Sequence, residues 1–551
     1  MDATTHDTVD PATGEASGRR RWIGLGVLAA GLSMIVLDGT IVGVALPVLI
    51  RELSLSLNDA QWVNGIYAVV FAALLLTAGR LGDRFGRRRM FVVGVVIFMA
   101  GSVLAAFATG GGTLIAARVV QGLGGAFILP STLSTVNATF RGKDRAVAFG
   151  IWGAVIAGMA AFGPLLGGWL TSAFSWQWIF IVNIPFGILI LVGIVLTVPE
   201  SKATIRAPGV DVDGLLLSAI GFGGLVFAMI EGPNLGWWTP TRDFSVFGWV
   251  WPETAPVSLV PIVGAIGLAA LVVFIVWERH RARNGRSAIL DVSLFSIPTF
   301  RWGNLTALCV AIGEFGLLFV LPLFIVNVLG LSTLGAGLVL AAMGLGAFTS
   351  GALARRLSAR MGPVNVVVLG LSLEIAGVIV TALFLSPSMP PVLLAGLLVI
   401  YGLGLGLASA QLTGTVLVDV PTEQSGQGSA TQSTVRQVGT ALGTALIGAV
   451  LAAGLAQAVP AQLNSVSDLP AAQAQQLAES TTNSAGGSIP AVRADGSGGD
   501  LGTSAPAVVD ALSNGVADAT RIALFSAVGA LGLGLAFAFM LRLKSTRTRE
   551  P

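Results

Sequence analysis

Long apolar stretches alternate with short polar breaks along most of the chain, and the length of those stretches sets the first expectation. A helix needs about 20 apolar residues to cross the hydrocarbon of a bilayer. Runs of that size begin near Trp22, Gln61, Met90, Leu114, Ala146, Trp178, Asp213, Val257, Trp302, Leu334, Pro363, Pro391, Ser433 and Ile522, which predicts fourteen transmembrane helices. Three connections break the rhythm. Val198 to Asp213 is polar, and Glu231 to Pro256 carries Trp237, Trp238, Trp249 and Trp251, side chains that favour the headgroup level. Pro460 to Asp518 is rich in Ala, Ser, Gln, Gly and Asp, a composition that cannot bury a core, so it is expected to be flexible or only partly helical. The expected organisation is a disordered tail (1–21), a six-helix bundle (22–198), a linker with two more helices (199–300), a second six-helix bundle (301–543) interrupted by a long loop (458–518), and a tail (544–551).

Composition fits a bilayer as solvent. The 551 residues are 54% hydrophobic and 11% charged, with a mean hydropathy of +0.84, whereas a soluble domain carries about 25% charged residues. The 72 glycines suit helices that approach closely. Charge then orients the chain. Of the 31 basic residues, Arg51, Arg242, Arg493 and Arg521 fall on one side and Arg118 alone lies well inside a helix; the others collect on the opposite side. Basic residues accumulate in cytoplasmic loops, so a multi-pass cell-membrane protein with both termini in the cytoplasm is expected. Their spread between apolar runs is a topology signal and does not build a nucleic-acid face.

Enzyme chemistry finds no support. No glycine-rich loop ends in Gly-Lys-Ser/Thr, which speaks against nucleotide binding. The string Gly402-Leu403-Gly404-Leu405-Gly406 imitates a dinucleotide fingerprint but sits in an apolar helix without a preceding strand. The lone Cys309 and the two histidines, His6 and His280 in polar segments, offer no metal cluster. The chain is therefore read as not an enzyme and without a cofactor, and a buried proton relay would rest on carboxylates.

The chain also repeats itself. Gly79 to Gly86, after the second helix, recurs as Gly351 to Arg356 after the tenth. Two further pairs fall at nearly the same spacing. Asp38, a lone acid in the first helix, is matched by Glu314 in the ninth, and Gly122 in the fourth helix by Gly402 in the twelfth. The unit is six helices displaced by two extra ones, giving an all-α integral membrane protein arranged 6+2+6. Parallel halves of this kind place substrate near the midplane and alternate access by rocking.

Charges in apolar runs mark the candidate site. A charge at the bilayer centre costs at least about 2.5–3.5 kcal/mol. Asp38 and Glu314 are therefore candidates for binding a proton or a cation, one occupant excluding the other; a structural Asp bonded to nearby backbone is the alternative. Glu374, a third membrane-depth acid, lacks a mate in the repeat, and a helix-contact role is as open as a functional one. Arg118 stays charged and needs a partner or a wet cavity. Asp83 begins a turn where it can accept from helix N–H groups or pair with Arg84 or Arg87. Pro164 bends the fifth helix. Gly158, Gly163, Gly167 and Gly168 give that helix a smooth face for a neighbour.

Taken together, Leu37-Asp38-Gly39-Thr40 through Pro47, Gly79 to Arg89, Arg118 with Gln121-Gly122, Gly158 with Gly163-Pro164-Leu165-Leu166-Gly167-Gly168, and Trp176-Gln177-Trp178 with Asn183 and Pro185 resemble the fourteen-helix drug:proton antiporter branch of the major facilitator superfamily. Gly43 stands where that branch often has Asn, Gln177 where it often has Arg, and the second-half loop lacks an acid matching Asp83. The resemblance implies a monomeric exporter of amphipathic small molecules (drugs, dyes or an antibiotic), driven by the proton gradient. It implies coupling at Asp38, Glu314 and Arg118, a conformational latch at Gly79, Asp83, Arg84, Gly86 and Arg87, and a leak-preventing antiporter motif at Gly158, Gly163, Pro164, Gly167 and Gly168. A dedicated exporter of one metabolite, peptide-like compound or lipid stays open, as does a non-transporting membrane sensor or scaffold.

Overall fold

The computed structural model describes residues 11–202, 211–421 and 424–547, apart from the isolated positions 141, 247, 287, 468, 497, 498 and 500. The first bundle comprises α1 (Pro11–Glu52), α2 (Leu57–Phe85), α3 (Arg87–Ala106), α4 (Gly111–Thr139), α5 (Gly142–Ala173) and a sixth span in two pieces, α6 (Trp178–Ile181) and α7 (Asn183–Thr197). The extra pair is α8 (Val212–Leu235) and α9 (Leu259–Arg283), joined by a hairpin of β1 (Phe244–Val246) and β2 (Trp249–Trp251). The second bundle comprises α10 (Pro298–Asn327), α11 (Thr333–Met361), α12 (Pro363–Phe384), α13 (Pro391–Leu417), α14 (Ser425–Leu463) and α17 (Ala505–Arg547). The short helices α15 (Ala471–Asn483) and α16 (Ile489–Asp495) precede α17. Among the described residues thirteen helices are long and apolar enough to cross a bilayer. α5, whose side chains lie partly outside the described residues, takes the remaining place. Leu189, Val192 and Val195 of α7 and Leu268, Val272 and Val276 of α9 are exposed, an apolar surface that hydrocarbon, not water, accommodates.

Several boundaries differ from those expected. The expected disordered tail reaches residue 21, yet α1 starts at Pro11; residues 1–10 lie outside the described residues. α14 and α17 start at Ser425 and Ala505 instead of Ser433 and Ile522. The reason is amphipathicity. Val508, Leu512, Val516 and Ala519 are buried at helical spacing among polar neighbours such as Asp510 and Asn514, a pattern that continues a helix past its fully apolar run. The expected 458–518 loop shrinks accordingly, and much of it is folded. Asn327 Nδ2 donates to the Ala485 carbonyl (3.0 Å) and Arg493 Nη2 to the Val328 carbonyl (2.9 Å). These bonds fasten α15 and α16 over the end of α10, with Ala478, Thr481 and Ile489 buried beneath.

One end of the molecule carries Arg19–Arg21, Arg87–Arg89 and Arg355–Arg356, and the other carries the tryptophan hairpin. At the tryptophan end the halves share one core. Ile41, Val44, Leu46, Leu57 and Val63 of the first bundle join Leu317, Leu321, Leu340, Ile447 and Leu451 of the second in a continuous cluster. At the basic end the first bundle keeps a core of its own, built from Leu25, Leu32, Leu75, Phe91, Val136 and Phe140, with Ala430 of the second bundle packed against it. The halves are thus closed at the tryptophan end, while toward the basic end their apolar cores are distinct. α8 docks where α2 meets α14, burying Val226 and Ile230 against Val69, Ala441 and Ala445.

Candidate functional site

Asp38 is 1% exposed, in the second half of α1, and its hydrogen-bonding and ion-pair partners come from other helices of the first bundle. Close packing brings them in. A Cβ on Gly101 of α3 would lie 2.7 Å from the Gln121 backbone nitrogen, and one on Gly94 2.8 Å from the Gly124 carbonyl, so α3 and α4 touch at backbone distance. Arg118 of α4 forms an ion pair with Asp38 Oδ2. Its Nη1 also donates to Gln121 Oε1 (2.9 Å) and its Nε to the Val63 carbonyl (3.1 Å). The guanidinium lies 4.3 Å from the ring centroid of Tyr67, a cation–π contact. Asp38 Oδ1 accepts from Gln121 Nε2 (3.0 Å) and Asn183 Nδ2 (3.3 Å), and both amides also donate to Ser102 Oγ (2.9 and 3.2 Å). Every polar atom of the Asp38 side chain is therefore satisfied, as a buried charge requires.

The second bundle holds a looser cluster. Glu314 of α10 pairs with Arg436 of α14 (Oε2 to Nη2, 3.2 Å). The Arg436 side chain is 41% exposed and that of Glu314 only 6%. Glu374 of α12 is fully buried, and neither of its oxygens has a hydrogen-bond partner; the Tyr401 hydroxyl of α13 shares both properties. Glu314, Glu374, Tyr401 and Arg436 lie within electrostatic range of one another. The expectation that Arg118 is alone as a basic residue deep in the membrane is corrected by Arg436, because α14 begins before its apolar run and carries Arg436 inward with it. Glu374 has no acidic mate in the repeat, yet Ser102 of the first cluster stands before it at the repeat's own spacing. The chain has only two tyrosines, and each lies in one of the two clusters. That scarcity was the available signal for Tyr67 and Tyr401.

The residues expected to form a latch surround the α2–α3 junction. Asp83 Oδ1 accepts from Arg87 Nε (3.0 Å) and Nη2 (2.9 Å), and Arg87 Nη1 donates to the Ser134 carbonyl (3.2 Å). Arg84 leans over the Phe85 ring, and Gly79 packs against Pro130. Of the two roles open to Asp83 the structure shows the pair with Arg87, while the N–H groups at the start of α3 go to Glu200, whose carboxylate accepts from the Arg88 (3.1 Å) and Arg89 (3.2 Å) amides. Gly86 has φ +121°, and a Cβ there would lie 2.6 Å from the Glu200 carboxylate carbon. Arg80 reaches toward the second half, donating to the Ala288 carbonyl (2.8 Å).

The motif on α5 lies between the halves. A Cβ on Gly163 would collide with Thr40 of α1, and one on Gly167 would lie 3.0 Å from the Ile41 carbonyl. Gly168 meets the Thr333 carbonyl of α11, and Gly337 of α11 meets the Pro164 carbonyl. Gly158, expected on the same smooth face, has no neighbour within 4 Å of a Cβ position among the described residues.

Known proteins resemble this chain in sequence and in fold. Residues 28–444 match the family model of the Major Facilitator Superfamily. The chain is 34% identical over 450 residues to the "Probable actinorhodin transporter" of Streptomyces coelicolor, covering 79% of this chain and 73% of that one. It is 34% identical over 460 residues to "Puromycin resistance protein pur8" of Streptomyces alboniger, covering 80% and 84%. Its fold superposes with a TM-score of 0.61 on the crystal structure of a bacterial homologue of the human lysosomal transporter Spinster in an inward-facing, unoccupied conformation, at 19% identity and covering 95% and 98% of the two chains. With two six-helix bundles enclosing buried ionisable clusters and a family match over most of its length, the chain belongs to the Major Facilitator Superfamily.

Proposed function

We propose that this transporter is a proton-coupled antiporter that exports amphipathic small molecules, drugs, dyes or a natural antibiotic, across the cell membrane, working as a monomer with its basic end and both termini in the cytoplasm. The observation that carries the reading is the Asp38–Arg118 pair, a fully buried and fully satisfied ion pair inside the first six-helix bundle. Replacing such a pair by apolar residues is often neutral or stabilising, so stability alone does not account for it. A carboxylate that exchanges a guanidinium for a proton as the halves rock gives protons and cargo a common switch. The Glu314–Arg436 pair, with its Arg436 side chain partly exposed, is the second point at which cargo would compete, entering from the cytoplasm in the state closed at the tryptophan end. The latch at Gly79, Asp83, Arg84, Gly86 and Arg87 steadies the basic end of the first bundle, and the α5 motif closes the tryptophan end against leak. No cofactor is needed, because the proton gradient supplies the energy. The two relatives named for antibiotics support the cargo class.

The test is uptake of a panel of lipophilic cationic dyes into inverted vesicles under an imposed pH gradient. Asp38→Asn is expected to fold and to lose gradient-driven transport. Full transport by that variant would remove Asp38 from the mechanism. Each of those two relatives is named for a single antibiotic, which favours a second reading: an exporter dedicated to one compound. A narrow profile across the panel supports it, and a broad one rejects it.

A further inference from the structure

The two halves differ in formal charge. In the first, one carboxylate (Asp38) faces one guanidinium (Arg118), and amides of Gln121 and Asn183 complete the shell. In the second, two carboxylates (Glu314 and Glu374) share one guanidinium (Arg436), and Glu314 holds it. Glu374 is sealed from water with both oxygens unpartnered. Among the described residues, the interactions given for Glu374 include no cation besides Arg436. α13 presents the Tyr401 hydroxyl, and α10 and α14 present Glu314 and Arg436. Arg521 of α17 lies about two turns further along, engaged by the Ala382 and Leu385 carbonyls and by Asp518. Arg355, Arg356 and Arg360 of α11 lie toward the basic end of that helix. An ionised carboxylate buried without a partner is too costly to persist, and such a group neutralises instead. Among the described residues the cluster is one positive charge short.

We propose that Glu374 is a second proton-binding site, loaded while the tryptophan end is closed, and that Arg436 is the cation for which Glu314 and Glu374 compete. When Arg436 swings from Glu314 to Glu374, the Glu374 O–H bond breaks and its proton leaves to water. Glu314, now without its guanidinium, takes a proton from water in exchange. The use of this site in transport rests on the antiport reading, but the missing charge does not. The neutral Tyr401 hydroxyl, equally buried and unpartnered, supplies a hydrogen-bond donor on the helix facing Glu374 once side chains shift.

Infrared difference spectroscopy on the full chain, glutamate-labelled with carbon-13 and held in lipid nanodiscs at neutral pH, reads protonated glutamates directly and needs no substrate. The wild type is expected to show a carboxylic-acid carbonyl stretch that Glu374→Gln removes and Asp38→Asn leaves in place. Arg436→Gln leaves two carboxylates unbalanced and is expected to raise the band about twofold. A wild type without the band, or a band that survives Glu374→Gln, overturns the proposal. Should Glu374→Gln fail to fold, an unchanged band in Arg436→Gln overturns it equally. A Glu374 band in a protein whose efflux ignores the proton gradient would keep this site and remove the antiport reading; gradient-driven efflux without the band would do the reverse.

Discussion

At the scale of single residues, the Asp38–Arg118 pair sets the sharpest expectations. Arg118→Leu strands a buried carboxylate, and breaking a buried pair in this way costs about 3–5 kcal/mol. Thermal unfolding in detergent at neutral pH should show that loss, and the double variant Asp38→Asn with Arg118→Leu should recover most of it. A double variant no more stable than Arg118→Leu would mean that Arg118 stabilises through packing on Tyr67 rather than through charge. Gly86 carries a second expectation. Gly86→Ala forces a side chain into a left-handed conformation and against the Glu200 carboxylate, at about 1–3 kcal/mol, so it should destabilise the junction more than Glu200→Gln does; equal effects would place the cost in the cap alone. Asp38, Glu314 and Arg118 were legible in the sequence because each is a lone charge in an apolar run. Arg436 was not, because it lies among Gln, Ser and Thr at the edge of its run, where it reads as a loop anchor. Ser102, Gln121 and Asn183 are ordinary polar residues whose convergence depends on how α3, α4 and α7 pack.

At the scale of elements, α5 and the folded cap at the tryptophan end do work that hydropathy does not reveal. Gly168 and Gly337 let α5 and α11 cross at backbone distance, and Ser172 Oγ accepts from the Leu334 amide (3.1 Å) just beyond them. Gly168→Val should wedge the halves apart there. Oxidative crosslinking of an engineered Ser172→Cys, Leu334→Cys pair reports the gap, because the one native cysteine, Cys309, is buried. The yield should fall several-fold with Gly168→Val, and an unchanged yield would mean that α5 does not hold the closure. The glycine string on α5 was readable as a packing face, but its partner was not: α11 belongs to the other half and follows only after the extra pair of helices. Helix number followed from apolar length, whereas helix ends did not. Amphipathic extensions such as the one at the start of α17 bury only one side, so a reading of continuous apolar runs places the membrane segment and misses the turns that project beyond it.

At the scale of the whole molecule, a shared core at the tryptophan end and a separate one at the basic end describe one of two states between which the halves would rock. The repeat made the division into halves legible, since three matched features fall at nearly one spacing. It did not show the asymmetry between them, a charge-balanced cluster on one side and a cluster short of a cation on the other, because that depends on which helix supplies the arginine: α4 in the first half, α14 in the second. The account as a whole rests on the coupling of those clusters to the proton gradient. The most direct test reconstitutes the protein in liposomes, imposes a pH gradient, and follows export of a transported dye before and after a protonophore collapses the gradient. Export should stop when the gradient is lost, and export that continues at the same rate would contradict the account.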